Sequence, residues 1–127
     1  LKGKKALVTG SSRGIGRSIA LALAGVGADV IVHGTRRAEP AEETLHQIAK
    51  TGARGLWVEG DFASEGGTPT GQRVLELSGG VDILVLNASI QIGKPWEQIT
   101  AAEIDRQMTA NFRASLELVQ VLAPAMQ

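Results

Sequence analysis

Thr9 to Gly16 reads TGSSRGIG; it follows a short apolar run, Ala6 to Val8, and opens a helical pattern. A strand that ends in glycines and turns straight into a helix leaves the first helical N–H groups unpaired and aimed at one point. That point suits a phosphate. Gly10 can take the sharp turn, Gly14 can let the backbone approach a pyrophosphate, and Gly16 can let the helix pack closely on the strand. The spacing is GxxxGxG, not the GxGxxG of the general dinucleotide fingerprint, so the loop alone admits a phosphate cradle or a plain strand-to-helix turn. Other chemistries lack their residues. The two histidines stand in no metal-ligand or Ser-His-Asp spacing, and the absence of cysteine excludes thiolate chemistry and disulfides. No metal site is expected.

The second chemical signal is basic. After the next apolar run, Asp29 to Val32, the chain reads His33, Gly34, Thr35, Arg36, Arg37, with no carboxylate before Glu39. A site for NAD places an acid here to grip the ribose hydroxyls, whereas a 2′-phosphate calls for arginine. The alternative is a solvated basic loop. His33, alone at a strand end, is expected to pack or to face solvent. Further on, Asp61 and Phe62 follow a third apolar run, and Asn87-Ala88 follows a fourth. Asn111 lies inside a late helical pattern, where asparagine costs about 0.7 kcal/mol relative to alanine and so asks for a reason.

These residues need strands that end together. Lys5 to Thr9, Asp29 to Val32, Gly55 to Gly60 and Val81 to Leu86 are short, apolar and without alternation, as buried parallel strands are. Between the first two, Ile15, Ile19, Ala22 and Val26 form a stripe expected to face the sheet, and Gly25 and Gly27 end that helix. Pro40 suits the first turn of a second helix, with Leu45, Ile48 and Ala49 inward, His46 outward and Gly52 as its stop. Ser64 to Gly71 has the composition of a mobile loop, which leaves Gln72 to Ser78 as a short helix. Gln91 to Gln98 is a loop in which Trp96 either meets a substrate or fills a hole, the second being favoured. Thr100 to Glu103 forms a capping box, so a helix starts at Ala101. The fold class is α/β, a doubly wound, Rossmann-like parallel sheet, and residues 1–127 are read as one domain.

With Thr9 in front, Ile15 between the last glycines, then Asp61, Asn87-Ala88 and Asn111 in order, the chain resembles the short-chain dehydrogenase/reductase family over nearly its whole length. The resemblance implies an NADP(H)-dependent oxidoreductase, 3-oxoacyl reductase-like or related, that passes hydride between nicotinamide and a small carbonyl or alcohol substrate. NADP(H) is the preferred cofactor and NAD(H) a possible one. Gly10, Ser12, Arg13, Gly14, Ile15 and Gly16 are then expected at the pyrophosphate. Gly34, Thr35, Arg36 and Arg37 are placed at the adenosine ribose and its phosphate, with Arg13 a second basic group there. Asp61 would bond the adenine amino group, or serve only as a turn residue, and Phe62 would offer backbone beside it. Asn87 and Ala88 would hold the nicotinamide ribose and the central strand. Leu86 and Ser89 depart from the family's Asn-Asn-Ala-Gly, and Ser89 puts a Cβ where the motif has glycine. Asn111, the one catalytic residue implied in these positions, would help hold a water linked to the catalytic lysine, or would be an exposed asparagine without a task.

The chain has 127 residues, 13 basic against 13 acidic, and no tyrosine. Balanced charge argues for neither nucleic acid nor an anionic membrane as partner. Ile19 to Ala28 is too short to span a bilayer, and Arg13 and Arg17 interrupt any signal-peptide core. A cytoplasmic protein is the expectation. The family's Tyr-x-x-x-Lys would lie downstream, and the sequence starts at Leu1 and stops inside a helix, so a fragment without turnover of its own is expected. A non-catalytic NADP-binding module is the rival reading. From Phe112 onward two apolar sets recur: Phe112, Leu116, Val119, Ala123 and Met126, and opposite them Leu118, Val121, Leu122 and Ala125. The second set is expected to meet a partner, making a homodimer or homotetramer.

Overall fold

The computed structural model describes residues 1–126. Four strands, β1 (Lys5–Val8), β2 (Asp29–Gly34), β3 (Gly55–Glu59) and β4 (Ile83–Val85), form one parallel sheet in the order β3-β2-β1-β4. Register runs from Lys5 beside Asp29 to Val8 beside Val32, from Ala6 beside Ile83 to Val8 beside Val85, and from Val30 beside Gly55 to Gly34 beside Glu59. The order reverses at β1, between β2 and β4. Open α/β sheets bind ligands at such a switch point, outside the carboxyl ends of the strands.

The strands are apolar throughout because both faces are covered. Val8, Val30 and Val32 pack under α1 (Gly14–Gly25) and α2 (Glu39–Lys50), while Leu7, Ile31 and Val58 meet the helices of the other layer. Alternate residues thus serve opposite cores.

α1, α2 and the late helix sit where the sequence places them, yet α1 and the late helix present other faces. On α1 the buried residues are Gly16, Ala20 and Ala24, and Ile15 and Val26 are exposed, so the helix is turned about 100°, one residue, from the expected aliphatic stripe. Small side chains at four-residue spacing let it lie close to the sheet, and that approach outweighs the size of the isoleucines. On α2, Ile48 is buried and Leu45 packs against the core as expected, joined by Ala41 and Thr44, whereas Ala49 is exposed. The stretch expected to be a mobile loop is helical: α3 (Phe62–Glu65) is capped by Asp61, and α4 (Thr68–Ser78) starts with Pro69 in its first turn. Its glycines mark close packing. A Cβ on Gly67 would stand 2.1 Å from the Ala114 carbonyl oxygen, and one on Gly71 would stand 2.9 Å from Val121.

The capping box at Thr100 is present and starts α5 (Ala101–Met108). A π-turn, Thr109–Arg113, then separates α5 from α6 (Ala114–Leu122). Ala110, Ala114, Leu118 and Leu122 are buried against the sheet. The expected outer set is thereby corrected: Leu118 belongs to the core, and Ile104, Met108, Phe112, Leu116 and Val119 form the open face. A run of i, i+4 residues defines a stripe, and the core took the one that begins with two alanines.

Candidate functional site

The carboxyl ends of β1 and β4 are stitched together by two side chains. The Thr9 hydroxyl accepts the N–H groups of Asn87 and Ala88 at 2.9 and 3.0 Å and lies 3.3 Å from the Val85 carbonyl. The Asn87 amide donates to the carbonyls of Thr9 and Gly10 at 3.1 and 3.2 Å. Asn87 therefore holds the central strands, one of the two tasks expected of it.

From there the glycine loop rises over the sheet edge. Gly10 has φ +63°, and a Cβ on it would meet Ala88 at 2.9 Å. Gly16 lies so close beneath the loop that a Cβ would stand 2.1 Å from the Gly10 carbonyl oxygen. Gly14, φ +62°, has open space in front of it. The helix that begins here has neither a side-chain cap nor an acid in its first turn, in contrast to α5 with its full capping box. Free N–H groups and an unneutralised helix dipole beside an open cleft fit a pyrophosphate.

The cleft is a cavity of about 540 Å³. All the cofactor residues expected from sequence line it except Arg36 and Arg37: Gly10 and Ser12 to Gly16, then Gly34 and Thr35, Asp61 and Phe62, and Asn87 to Ser89. Ile15, 76% exposed, stands over it as an apolar wall. Asp61 caps α3 through Oδ1, which accepts the Ala63 N–H at 3.1 Å. The turn role weighed for it is thus real.

His33 does more than the sequence reading allowed. It is buried, its Nδ1 accepts the Gly10 N–H at 3.0 Å, and its Nε2 lies 2.9 Å from the Gly60 carbonyl. Its ring stacks on Phe62 at 4.3 Å. Because a backbone N–H can only donate, the imidazole is neutral with its hydrogen on Nε2. Burial pushes its pKa down to about 4, and the bond to Gly60 offsets part of that fall.

A second cavity, about 190 Å³, opens between the glycine loop and the first turn of α2. Arg13 and Arg36 border it, and neither forms an ion pair among the described residues. Arg37 borders neither cavity and instead bonds Glu42 on α2. Its proximity in sequence to Arg36 gave no hint of that, but Glu42 lies one helical turn into α2, within reach.

At the other end, the loop after β4 is held by the late helix. Asn111, in the π-turn, accepts the Ile90 N–H at 2.7 Å and donates to the Ile90 carbonyl at 2.8 Å, while Gln107 accepts the Ile92 N–H at 3.0 Å. Asn111 is exposed but not idle. π-turns are often found at functional sites. Trp96, by contrast, is 80% exposed and fills no hole.

A parallel sheet with this strand order, flanked by helices and open at its switch point, defines a Rossmann-like α/β protein. A model of the short chain dehydrogenase family matches residues 4–127, and the chain belongs to that family. It is 40% identical over 124 residues to the hydroxynaphthalene reductase-like protein Arp2 of Metarhizium robertsii, covering 94% of this chain and 45% of that protein. Among solved structures, a 3-oxoacyl (acyl-carrier-protein) reductase of Agrobacterium tumefaciens with NADP bound superposes with a TM-score of 0.90 at 38% identity, covering 99% of this chain and 48% of that one. The landomycin C-6 ketoreductase LanV, with NADP and rabelomycin bound, gives 0.87 at 37% identity, covering 99% and 54%. The chain thus spans about half the length of the relatives it matches. No helix of the described residues is long and apolar enough to cross a membrane.

Proposed function

We propose that the chain is the cofactor-binding part of an NADP(H)-dependent oxidoreductase that interconverts a ketone and an alcohol. The observation that carries the reading is the pair of unpaired guanidiniums, Arg13 and Arg36, at the smaller cavity beside the uncapped start of α1, with no carboxylate at the end of β2. When bound, the cofactor supplies or accepts the hydride. The chain's own residues bind and orient. Backbone N–H groups from Ser12 to Gly16 take the pyrophosphate, Arg13 and Arg36 the 2′-phosphate, and Gly34 and Thr35 border the adenosine ribose. Asp61 and Phe62 meet the adenine, and Asn87 to Ser89 set the depth of the nicotinamide end. Asn111 keeps the Ile90 backbone in place beside it and so positions the wall against which substrate rests.

The relatives' names favour a carbonyl on an acyl chain or a polyketide-like ring as substrate, with proton transfer left to a serine, tyrosine and lysine outside these residues. Balanced charge and the lack of cysteine keep a cytoplasmic location within the proposal. Titration of the full-length protein with NADPH and with NADH tests it. A charge-assisted bond is worth about 1.5–3 kcal/mol, so Arg36→Ala should weaken NADPH about ten- to a hundredfold and leave NADH unchanged. Equal affinity of the unmutated protein for both cofactors overturns the preference. A second reading, a non-catalytic NADP-binding module, draws on Leu86 and Ser89, which replace Asn and Gly of the family motif. Tight NADPH binding by the full-length protein without turnover of any ketone would favour it.

A further inference from the structure

Behind the smaller cavity, one guanidinium joins three segments of chain. Arg17, in the first turns of α1, donates from Nε to the Thr44 hydroxyl at 2.8 Å and from Nη2 to the carbonyls of Ser12 and Pro40 at 2.8 and 2.9 Å. Thr44 is fully buried, and its hydroxyl lies 2.8 Å from the same Ser12 carbonyl and 3.1 Å from that of Pro40. Ser12 and Pro40 both border the cavity, one from the glycine loop and one from the first turn of α2. Two side chains therefore tie the glycine loop to α2 through the same pair of carbonyl oxygens. A threonine whose hydroxyl bonds back to the carbonyl four residues earlier is a slight burden on a helix, and a valine would bury as well there. The hydroxyl is accounted for by what it joins.

We propose that Arg17, with Thr44, is a positioning residue for NADP(H): it clamps the loop segment that carries Arg13 against the first turn of α2, so the 2′-phosphate pocket is set before ligand arrives. This rests on the proposed reading of that cavity. A pocket held in its bound shape loses less freedom on binding, and that saving appears as affinity. Ser12 and Arg13 line the larger cavity too, but the pyrophosphate cradle has further supports of its own, so the effect falls chiefly on the phosphate of NADP(H). Gly10 is held by His33, the Ser11 hydroxyl by Val8, and Gly16 by close packing on the loop, and no residue of α2 reaches the larger cavity.

The geometry also separates a clamp from a mere positive charge. Arginine meets its partners with a planar fork, and lysine offers one flexible ammonium. In the full-length protein, binding of NADPH and NADH is measured for Arg17→Met, Arg17→Lys and Thr44→Val, with thermal midpoints alongside. Arg17→Met should weaken NADPH about tenfold, while NADH changes by less than roughly twofold. Arg17→Lys should recover little of the loss, and Thr44→Val should weaken NADPH in the same direction, with the double variant no worse than Arg17→Met alone. Parallel loss for both cofactors, or a fallen midpoint with the NADPH-to-NADH ratio intact, overturns the clamp. So does full recovery by lysine. Should Arg17→Met fail to fold, the ratio in Thr44→Val decides. Equal affinity of the unmutated protein for the two cofactors defeats the reading of the cavity itself, and that result is read before any variant is made.

Discussion

A buried imidazole with both nitrogens engaged has one workable protonation state, and His33 is held in it by partners far away in sequence, Gly10 and Gly60. A second ring proton would face the Gly10 N–H and push the glycine loop off the sheet. With the ordinary value at 6.5 and the folded value lowered to about 4, the unfolded chain takes up a proton first as pH falls. Stability from neutral His33 is therefore complete above pH 6.5 and lost progressively down to pH 4, by roughly 3 kcal/mol. The Glu65 carboxyl, held below its usual range chiefly by a hydrogen bond from Arg73, has the acid pattern: its contribution is present above pH 4.5 and lost below. Urea unfolding at pH 7 and pH 4.5 should show a large drop for the unmutated protein and a much smaller one for His33→Gln. An equal drop in both would remove the role. The residues that belong to a contiguous motif, from Gly10 to Gly16 and Asn87-Ala88, were legible in the sequence because spacing along the chain is their signal. His33, Arg17 and Thr44 were not, since each acts through partners more than 20 residues away or through main-chain carbonyls that any sequence supplies.

Elements were legible as types and less so as faces. Four apolar runs separated by helical patterns suffice for a parallel sheet, and all four strands formed at the expected places, β2 running two residues further, to Gly34. What hydrophobicity cannot tell is which of two stripes is inward when one is small and the other large. On α1 and on the late helix the core chose the stripe with glycine or alanine, because close approach of helix to sheet buries more than one large side chain standing between them. The same physics turned the glycines of α4 from loop markers into contacts with α6. Asn111 shows how a poor helix former repays its place: in the π-turn it satisfies both backbone groups of Ile90. Asn111→Ala should cost about 1 kcal/mol in urea unfolding, the ordinary worth of such bonds where water can replace them. Amide exchange at Ile90 should quicken while that of Leu7 and Ile31 in the sheet stays slow. Unchanged protection at Ile90 would mean the loop after β4 is held by something else.

At the scale of the molecule the open question is what meets the long helix. Ile104, Met108, Phe112, Leu116 and Val119 lie on its outer side, Phe112 64% and Leu116 50% exposed, in a row no described residue covers. A row of this length is more than scattered surface hydrophobes and marks a contact. A second copy of the chain fits it by symmetry: a two-fold axis across the helix sets each row on its twin, which makes the homodimer, or the tetramer built from it, the proposed assembly. The same symmetry sharpens the test. One substitution enters an isologous contact twice, so Leu116→Glu places two carboxylates in an apolar seam and forfeits two buried leucines, each worth roughly 1.5–3 kcal/mol. Leu116→Glu and Phe112→Glu in the full-length protein should thus give folded protomers that still bind NADPH but scatter light at half the mass or less. Leu118→Glu, which the sequence alone placed on the outer face, should unfold the protein instead, because Leu118 is wholly buried. The rival arrangement, in which further chain of the same protomer covers the row, predicts the reverse for the first pair: unchanged mass and a lowered thermal midpoint. An unmutated full-length protein that is monomeric at micromolar concentration would end the proposal, since a seam of this apolar character should already be closed there.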